Sequence, residues 1–249
     1  DEFALLRSRW GFAQGQLSDA EFEKVLQEKA VPTFERLREQ VIREGTMHPA
    51  ALYGFFPACS RGANEIVVYA PETFSRDQSP AKREVIARFE FPRQANGRQL
   101  CIADFVAHES TGLVDVLGVQ LVTMGHVASQ TAHAAYADSQ FSEYFYLHGL
   151  STELTEAYAE LIHAQIRREL GIHGRDAKNK RALFSQGYQG SRYSFGYPAC
   201  PDMELNEPLL KLLKAEDIGV TLSESHQMVP EQSTSALVIH HHQARYFST

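Results

Sequence analysis

The feature that most constrains the fold is a series of four short apolar runs with no helical sequence between them. The runs are rich in β-branched and aromatic residues and are separated by turn-forming residues: Glu65–Tyr69, Val85–Phe91, Leu100–Val106 and Val114–Val122. Parallel strands need long crossover connections, whereas antiparallel strands need only tight turns such as Asn96-Gly97 allows. The order therefore predicts an antiparallel sheet in an α+β fold, not a doubly wound parallel sheet.

Helical sequence precedes these strands. Residues 18–44 predict a helical segment with Ser18 and Asp19 as capping residues at its start and Glu21 placed to help. Pro32 interrupts this segment, and Gly45 is a suitable residue to end it. A helical segment that precedes the strands in the sequence, rather than lying between them, is consistent with the α+β class.

A second helical region follows the strands, from about residue 125 to residue 170. Its clearest part, Thr152–Leu170, has one apolar stripe: Leu154, Tyr158, Leu161, Ile162 and Ile166. The opposite face is polar, and such faces are usually solvated: Glu156, Glu160, His163 and Arg167. The remaining chain predicts a loop over 171–200, a short helix over Pro208–Ala215, and final strands over Leu237–His242 and Arg245–Thr249.

Composition limits the possible classes of protein. The 249 residues carry a net charge of −7, which disfavours nucleic acid as a partner. Three cysteines without CxxC spacing disfavour a disulfide framework or a zinc–thiolate site and favour a reducing cytosol. No apolar run approaches the ~20 residues of a membrane helix. With no linker-like segment in the sequence, we expect residues 1–249 to form one domain.

The motifs of several common enzymes are missing. The sequence contains no GxGxxG at a strand–helix junction, no P-loop, no GxSxG and no HExxH. A nucleotide-containing ligand, if one binds, therefore does not bind on a Rossmann sheet with a glycine-rich first turn.

The segment Arg192–Pro201 has the most unusual local sequence. Its prolines stiffen the backbone, and Gly196 permits a tight turn or a close approach to a ligand. Arg192 is suited to bind a carboxylate with two parallel hydrogen bonds. Three aromatic residues are suited to cover a flat ring or a sulfonium: Tyr193, Phe195 and Tyr197. The alternative is a proline-rich surface turn in which Arg192 forms a structural ion pair.

Three other features have structural readings that compete with functional ones. Cys200 is a candidate nucleophile, but no histidine partner can be placed beside it. His240 and His242 would point the same way in a strand, as two metal ligands do, but no third ligand is indicated. Glu156 is either a solvated residue of a polar helix face or a functional one, and Asp104, in an otherwise apolar run, either caps a strand end or is a buried hydrogen-bond partner.

Several segments together resemble one family, the activation domain of cobalamin-dependent methionine synthase. The Arg192–Pro201 loop is similar to its RxxxGYPACP signature, and six further segments match in the right order: Asp1–Gly11, Tyr53–Ala58, Leu100–Ala107, Glu156–Arg167, Ile218–Pro230 and His241–Phe247. Ile102, Ser223 and His242 depart from the usual residues at their positions, and Phe247 lacks the hydroxyl of the usual tyrosine.

This resemblance implies a single bent α+β domain, with a twisted antiparallel sheet flanked by helices and a shallow, extended site for S-adenosylmethionine. By motif position, Arg192 takes the methionine carboxylate, and the backbone around Ser194 holds the adenine end. Asp1 and Glu156 match acidic positions that line the site, so either one complements the ammonium. The remaining positions of the implied site are Gly196, Tyr197, Tyr246 and Phe247.

The function that the resemblance implies is reductive methylation. Cobalamin bound by a partner domain receives the methyl group, a flavodoxin-type protein donates an electron, and the isolated domain does not make methionine. The expected location is the cytoplasm, with no membrane and no nucleic acid as partner. A different class remains open, namely a partner-binding module that kept the fold but lost the ligand. A third class is an unrelated hydrolase or metal enzyme that uses Cys200 or the His240–His242 strand.

Overall fold

A computed structural model describes residues 4–75 and 83–249. The strands, in chain order, are β1 (Ala50–Arg61), β2 (Glu65–Tyr69), β3 (Val85–Glu90), β4 (Asp115–Thr123), β5 (Ser191–Tyr193), β6 (Thr221–Leu222), β7 (Met228–Val229) and β8 (Ser233–Ile239). Six of them form one sheet in the order β3-β2-β1-β4-β8-β5, and β6 pairs with β7 in a small second sheet. Every neighbouring pair is antiparallel, which confirms the predicted sheet and the α+β class.

The α-helices are α1 (Asp19–Val25), α2 (Val31–Glu44), α3 (His126–Ala137), α4 (Phe141–Glu169), α5 (Lys180–Phe184) and α6 (Asn206–Leu213). A π-helical turn over Leu26–Ala30 joins α1 to α2, and another covers Ala4–Arg9. The predicted capping box of Ser18 and Glu21 begins α1. Gly45 ends α2 with a φ of 61°. In the part of the chain that the structure describes, no helix has the length and apolarity required to cross a bilayer.

The predicted strand over Leu100–Val106 is wrong. Ile102–Phe105 forms a 3₁₀ turn, because the Asp104 carboxylate accepts the backbone N–H of Cys101 at 2.8 Å and turns the chain. Arg93 holds the same carboxylate from the other side, with N–O distances of 2.7 and 2.8 Å. Asp104 is therefore a capping and ion-pairing residue.

The longest strand, β1, was not predicted. It pairs with β2 through Ala58–Arg61 and with β4 through Ala50–Ala58. Gly54 and Pro57 disfavour a strand prediction for this segment, because both residue types are rare in central strands. At the other end of the chain, the last strand stops at Ile239, and residues 245–249 form no strand. The predicted loop over 171–200 contains α5 and β5.

Two layers cover the main sheet. Alternation along β4 places Leu117, Val119 and Leu121 in the largest apolar cluster together with Leu209 of α6. Gln120 points to the other face, where its amide donates to the backbone carbonyl of Ala159 in α4. Helix α4 therefore lies on the face of the sheet opposite α6.

The orientation predicted for α4 is wrong in part. His163 and Arg167, expected on the polar face, are 0% and 3% exposed, whereas Leu161 of the expected apolar stripe is 57% exposed. Leu154 is also exposed, and Ile166 is buried as predicted. The physical reason for Arg167 is that Asp176 and Tyr188, from the segment after the helix, supply a carboxylate and an aromatic face for its guanidinium. His163 packs against the Tyr188 ring.

Candidate functional site

A groove of about 190 Å³ lies between α4, the loop after β5 and the start of β8. Its walls contain Arg9, Thr152, Thr155, Glu156, Ser194, Phe195, Tyr197, Met228, Glu231, Gln232, Ser233, Thr234 and Ser235. Three of these residues, Met228, Glu231 and Ser233, also line an adjoining groove of about 600 Å³ that His126 and His133 border. The two grooves together make an extended, open site.

Strand β5 directs Arg192 toward α4. Its neighbours Ser191 and Tyr193 are fully buried, and Tyr193 belongs to the cluster that α6 covers, so alternation places Arg192 on the opposite face of the sheet. There the guanidinium Nη2 lies 2.7 Å from Glu160 Oε1 and 4.0 Å from Glu156 Oε2. The two carboxylates are four residues apart and therefore lie on one face of the helix. One cation and two anions meet at the edge of the groove.

The loop after β5 is held by its own backbone. The Gly196 N–H donates to the Cys200 carbonyl at 2.9 Å, and the Cys200 N–H donates to the Tyr197 carbonyl at 2.8 Å. Gly196 has a φ of 82°, and a Cβ at this position would collide with Met203 Sδ. Only glycine fits such a turn without strain. The loop therefore presents Ser194 and Tyr197 to the groove in fixed positions.

The three aromatic residues of this loop have different environments. Tyr193 is buried, and its hydroxyl donates to the Arg245 carbonyl at 2.8 Å. Phe195 is also buried and stacks on Phe89. Only Tyr197 is exposed, at 51%. Partial burial, with a smaller effect of the Glu156 charge, raises the pKa of Tyr197. The hypothesis that all three rings cover a ligand is therefore wrong for Tyr193, although Phe195 still lines the groove.

The closing segment places its two aromatic residues on different sides. Tyr246 is exposed and stacks beside Tyr193 with ring centroids 6.5 Å apart. Phe247 is buried against Phe105 and Tyr193 in the core. The side chain of Tyr246 is thus available to a ligand, whereas Phe247 offers its backbone.

Buried polar residues form a floor next to Arg192. Arg167 donates to the Asp176 carboxylate over N–O distances of 2.9–3.1 Å and lies 4.3 Å from the centroid of the Tyr188 ring. The edge of the Tyr188 ring meets His163, whose two ring nitrogens have no hydrogen-bond partner among the described residues. Burial, followed by the charges of Arg167 and Arg192, lowers the pKa of His163 well below its usual value. His163 is therefore a neutral structural residue.

The remaining candidates are structural. Burial, with a further effect of Asp202, raises the pKa of Cys200 to about 12, so its thiol stays protonated. His240 lies past the end of β8 and pairs with Asp115 at 2.7 Å. Within residues 4–75 and 83–249, no group of three histidine, cysteine or acidic residues is arranged to hold a metal ion.

The predicted site residues thus fall into three groups. Glu156, Ser194 and Tyr197 line the groove, Arg192 lies beside it, and Gly196 shapes its loop, so these five come together. Tyr246 is exposed beside Tyr193 and does not line the groove. Phe247 lies in the core. Asp1 lies outside the described residues. Sequence reasoning missed several lining residues, of which Thr152 and Thr155 share a helix face with Glu156: Arg9, Thr152, Thr155, Glu231 and Gln232.

This arrangement suits a ligand that carries a negative charge, a positive charge and a flat ring. The guanidinium complements a carboxylate, and the surplus carboxylate complements an ammonium or another cation. The loop backbone and Tyr197 offer hydrogen bonds and one aromatic face. Nothing in the set acts as an activated nucleophile.

Several known proteins are similar to this chain. A crystal structure of the MetH reactivation domain bound to AdoHcy superposes with a TM-score of 0.82 and 26% sequence identity, covering 99% of this chain and 76% of that one. The methionine synthase of Mycobacterium tuberculosis is 41% identical over the whole chain, and that of Mycobacterium leprae is 38% identical. The chain spans about a fifth of these relatives, 21% of each.

The sequence model of one family covers most of the chain. It is described as the activation domain of vitamin B12-dependent methionine synthase, and it matches residues 9–249. Together with the relatives that match over the full length of the chain, this match establishes that the protein belongs to the activation-domain family of vitamin B12-dependent methionine synthase.

Proposed function

We propose that this chain binds S-adenosylmethionine in the groove between α4 and the loop after β5, and that it offers the methyl group to a cobalamin held by another domain. The observation that carries the proposal is the position of Arg192 beside Glu156 at the edge of the groove. The similar reactivation domain of known structure is bound to AdoHcy, which differs from S-adenosylmethionine by one methyl group.

Each part of the ligand has a counterpart in the groove. Arg192 binds the carboxylate of the methionine tail, and Glu156 binds the ammonium. The backbone around Ser194, in the turn that Gly196 permits, holds the adenine. Tyr197 and Tyr246 contribute the aromatic faces that a sulfonium favours. The backbone at Phe247 and the carboxylate of Asp1 complete the proposed set.

The reaction requires no proton transfer from this chain. Bound cobalamin supplies the metal centre that accepts the methyl group. The residues of the groove fix the ligand by its charged tail, so that the methyl group points out of the open side. Positioning and charge complementarity are therefore their contribution to the rate. The buried thiol of Cys200 and the buried ring of His163 are both uncharged, so neither is suited to such a transfer.

The partners follow from the same proposal. The chain covers about a fifth of the curated methionine synthases, so a cobalamin-binding domain of the same or a partner chain is expected to close over the groove. A flavodoxin-like protein is expected to supply the electron for reductive methylation. We place the reaction in the cytoplasm.

Calorimetry with a graded set of ligands tests the proposal. S-adenosylmethionine and AdoHcy carry the charged tail, whereas 5′-methylthioadenosine lacks it and controls for the nucleoside. We expect both tailed ligands to bind, and the control to bind more weakly. Absence of heat and of a thermal shift at millimolar tailed ligand would contradict the proposal and would favour a module that binds partners without this ligand.

A further inference from the structure

Arg192 lies at the edge of the groove that it is proposed to serve, and its guanidinium is held by a carboxylate one helical turn along α4 from the groove lining. Its close partner is Glu160, at 2.7 Å, whereas Glu156 is 4.0 Å away. Glu156 lines the groove, but neither Glu160 nor Arg192 does. Four residues along a helix correspond to about 6 Å. In this structure, therefore, Glu160 accepts from Nη2, the guanidinium nitrogen that lies nearest the groove-lining Glu156.

The surroundings of Arg192 leave Glu160 as its main anchor. Its other donors, Nε and Nη1, have no hydrogen-bond partner among the described residues. In the adjacent floor, the Asp176 carboxylate is engaged by Arg167, and the nearest other carboxylate, Glu156, is 4.0 Å from the guanidinium. The Arg192 side chain is 18% exposed and that of Glu160 is 39% exposed, so the pair is accessible to a competing carboxylate.

We propose that Glu160 competes with the ligand carboxylate for Arg192, so that binding exchanges one carboxylate partner of the guanidinium for another. Glu156 then remains free to bind the ammonium of the ligand. The inference deepens the proposed function and rests on it. It makes Glu160 a residue that sets affinity for ligands with a carboxylate tail and has no effect on nucleosides without a tail.

The test compares Glu160→Gln with the wild-type chain by calorimetry. The probes are AdoHcy and 5′-methylthioadenosine, because neither carries a net charge and a change in the overall field therefore affects them equally. We expect Glu160→Gln to bind AdoHcy roughly threefold to tenfold more tightly, the scale of a partly exposed ion pair, and to leave the affinity for 5′-methylthioadenosine unchanged.

Two further variants separate this mechanism from a structural effect. Glu169→Gln removes a carboxylate from the same helix, where it pairs with Tyr53 at 2.7 Å, and should leave both affinities unchanged. In an Arg192→Gln background, Glu160→Gln should no longer change the affinity for AdoHcy, because the competition acts through the guanidinium.

Several results would overturn the inference while the proposed function stands. Unchanged or weaker AdoHcy binding by Glu160→Gln would show that Glu160 does not compete, and an equal change for both probes would show a structural effect. A change in AdoHcy affinity caused by Glu160→Gln in the Arg192→Gln background would likewise show a structural effect. If the wild-type chain binds neither probe, the proposed function itself fails and the inference fails with it.

Discussion

Two of the walls that bound the groove, the loop after β5 and helix α4, differ in how they are built. The loop wall, residues 194–200, is held by main-chain hydrogen bonds and by glycine at a positive φ. The helix wall, on α4, consists of side chains: two threonines and the carboxylate of Glu156, with the Glu160–Arg192 ion pair beside them. The loop wall therefore supplies shape, and the helix wall supplies charge. A change in the first should damage the fold, whereas a change in the second should alter affinity alone.

The largest loss of stability is expected from Gly190→Ala, just before β5, the strand that leads into the loop wall. Gly190 has a φ of 86°, and a Cβ there would collide with the backbone oxygen of Ile239. Backbone atoms cannot move aside as a flexible side chain does. We therefore expect the free energy of unfolding to fall by about 3 kcal/mol or more. Chemical denaturation measures this change.

Gly62→Ala is the matched control for that change. Gly62 also has a positive φ, 58°, but no atom lies within 4 Å of the position that a Cβ would take. Its cost should be about 1–2 kcal/mol, from the backbone conformation alone. Equal costs for the two variants would contradict the role assigned to the close approach at Gly190.

Arg192→Gln tests the charge at the junction of the two walls. We expect a loss of about 1.5–3 kcal/mol in the binding of AdoHcy, roughly tenfold to 150-fold in affinity, because a charged hydrogen-bond partner of the carboxylate is removed. Binding of 5′-methylthioadenosine should not change. Arg168→Gln, at an exposed arginine of α4, is the control. Unchanged AdoHcy affinity would remove Arg192 from the site.

Glu156→Gln should have a smaller effect on the same ligands. The Glu156 side chain is 36% exposed, so solvent screens its attraction for the ammonium, and we expect affinity for AdoHcy to fall roughly threefold to tenfold. S-adenosylmethionine should lose more, because its sulfonium adds a second positive charge near this carboxylate. Equal losses for the two ligands would place the sulfonium away from Glu156.

The smallest effect is expected from a change at His240, which follows β8, and it concerns the stability of the fold. The hydrogen bond to Asp115 raises the pKa of His240 above its usual 6.5, although burial opposes the change. Burial alone would raise the pKa of Asp115, but hydrogen bonds from His240 and two backbone N–H groups lower it overall. The stability that His240 contributes is therefore complete below about pH 6.5 and declines as the pH rises through its elevated pKa.

We accordingly expect His240→Gln to lose about 1 kcal/mol of stability at pH 6 and progressively less toward pH 9. Denaturation at several pH values measures the difference from the wild type, which cancels the opposite contribution of buried His163. His173→Gln, at an exposed histidine, should show no comparable trend. A difference that grows as the pH rises would contradict the pairing of His240 with Asp115.

The two walls also differ in how far sequence predicts them. The conformation of the loop wall follows from Gly196 and its neighbouring prolines, which restrict the backbone locally. On the helix wall, polar residues at helical spacing resemble a solvated face, but His163 and Arg167 are buried. Their partners Asp176 and Tyr188 lie beyond the end of the helix, so no local period reveals them.

A similar limit applies to the sheet. Runs of β-branched and aromatic residues correctly indicate β2, β3 and β4, because these residues predominate in the three strands. Strand β1 is not evident from the sequence because pairing with β4, a tertiary effect, stabilises the residues around Gly54 and Pro57. The Leu100–Val106 run has strand-like composition, but the carboxylate of Asp104 captures the backbone and forms a turn.

A crystal structure of this chain with AdoHcy tests the central claim most directly, because it locates both ends of the ligand at once. The account predicts the ligand carboxylate on the Arg192 guanidinium, the ammonium beside Glu156, and the adenine against the backbone of the loop wall. A ligand bound elsewhere, or a tail that contacts neither Arg192 nor Glu156, would contradict the account.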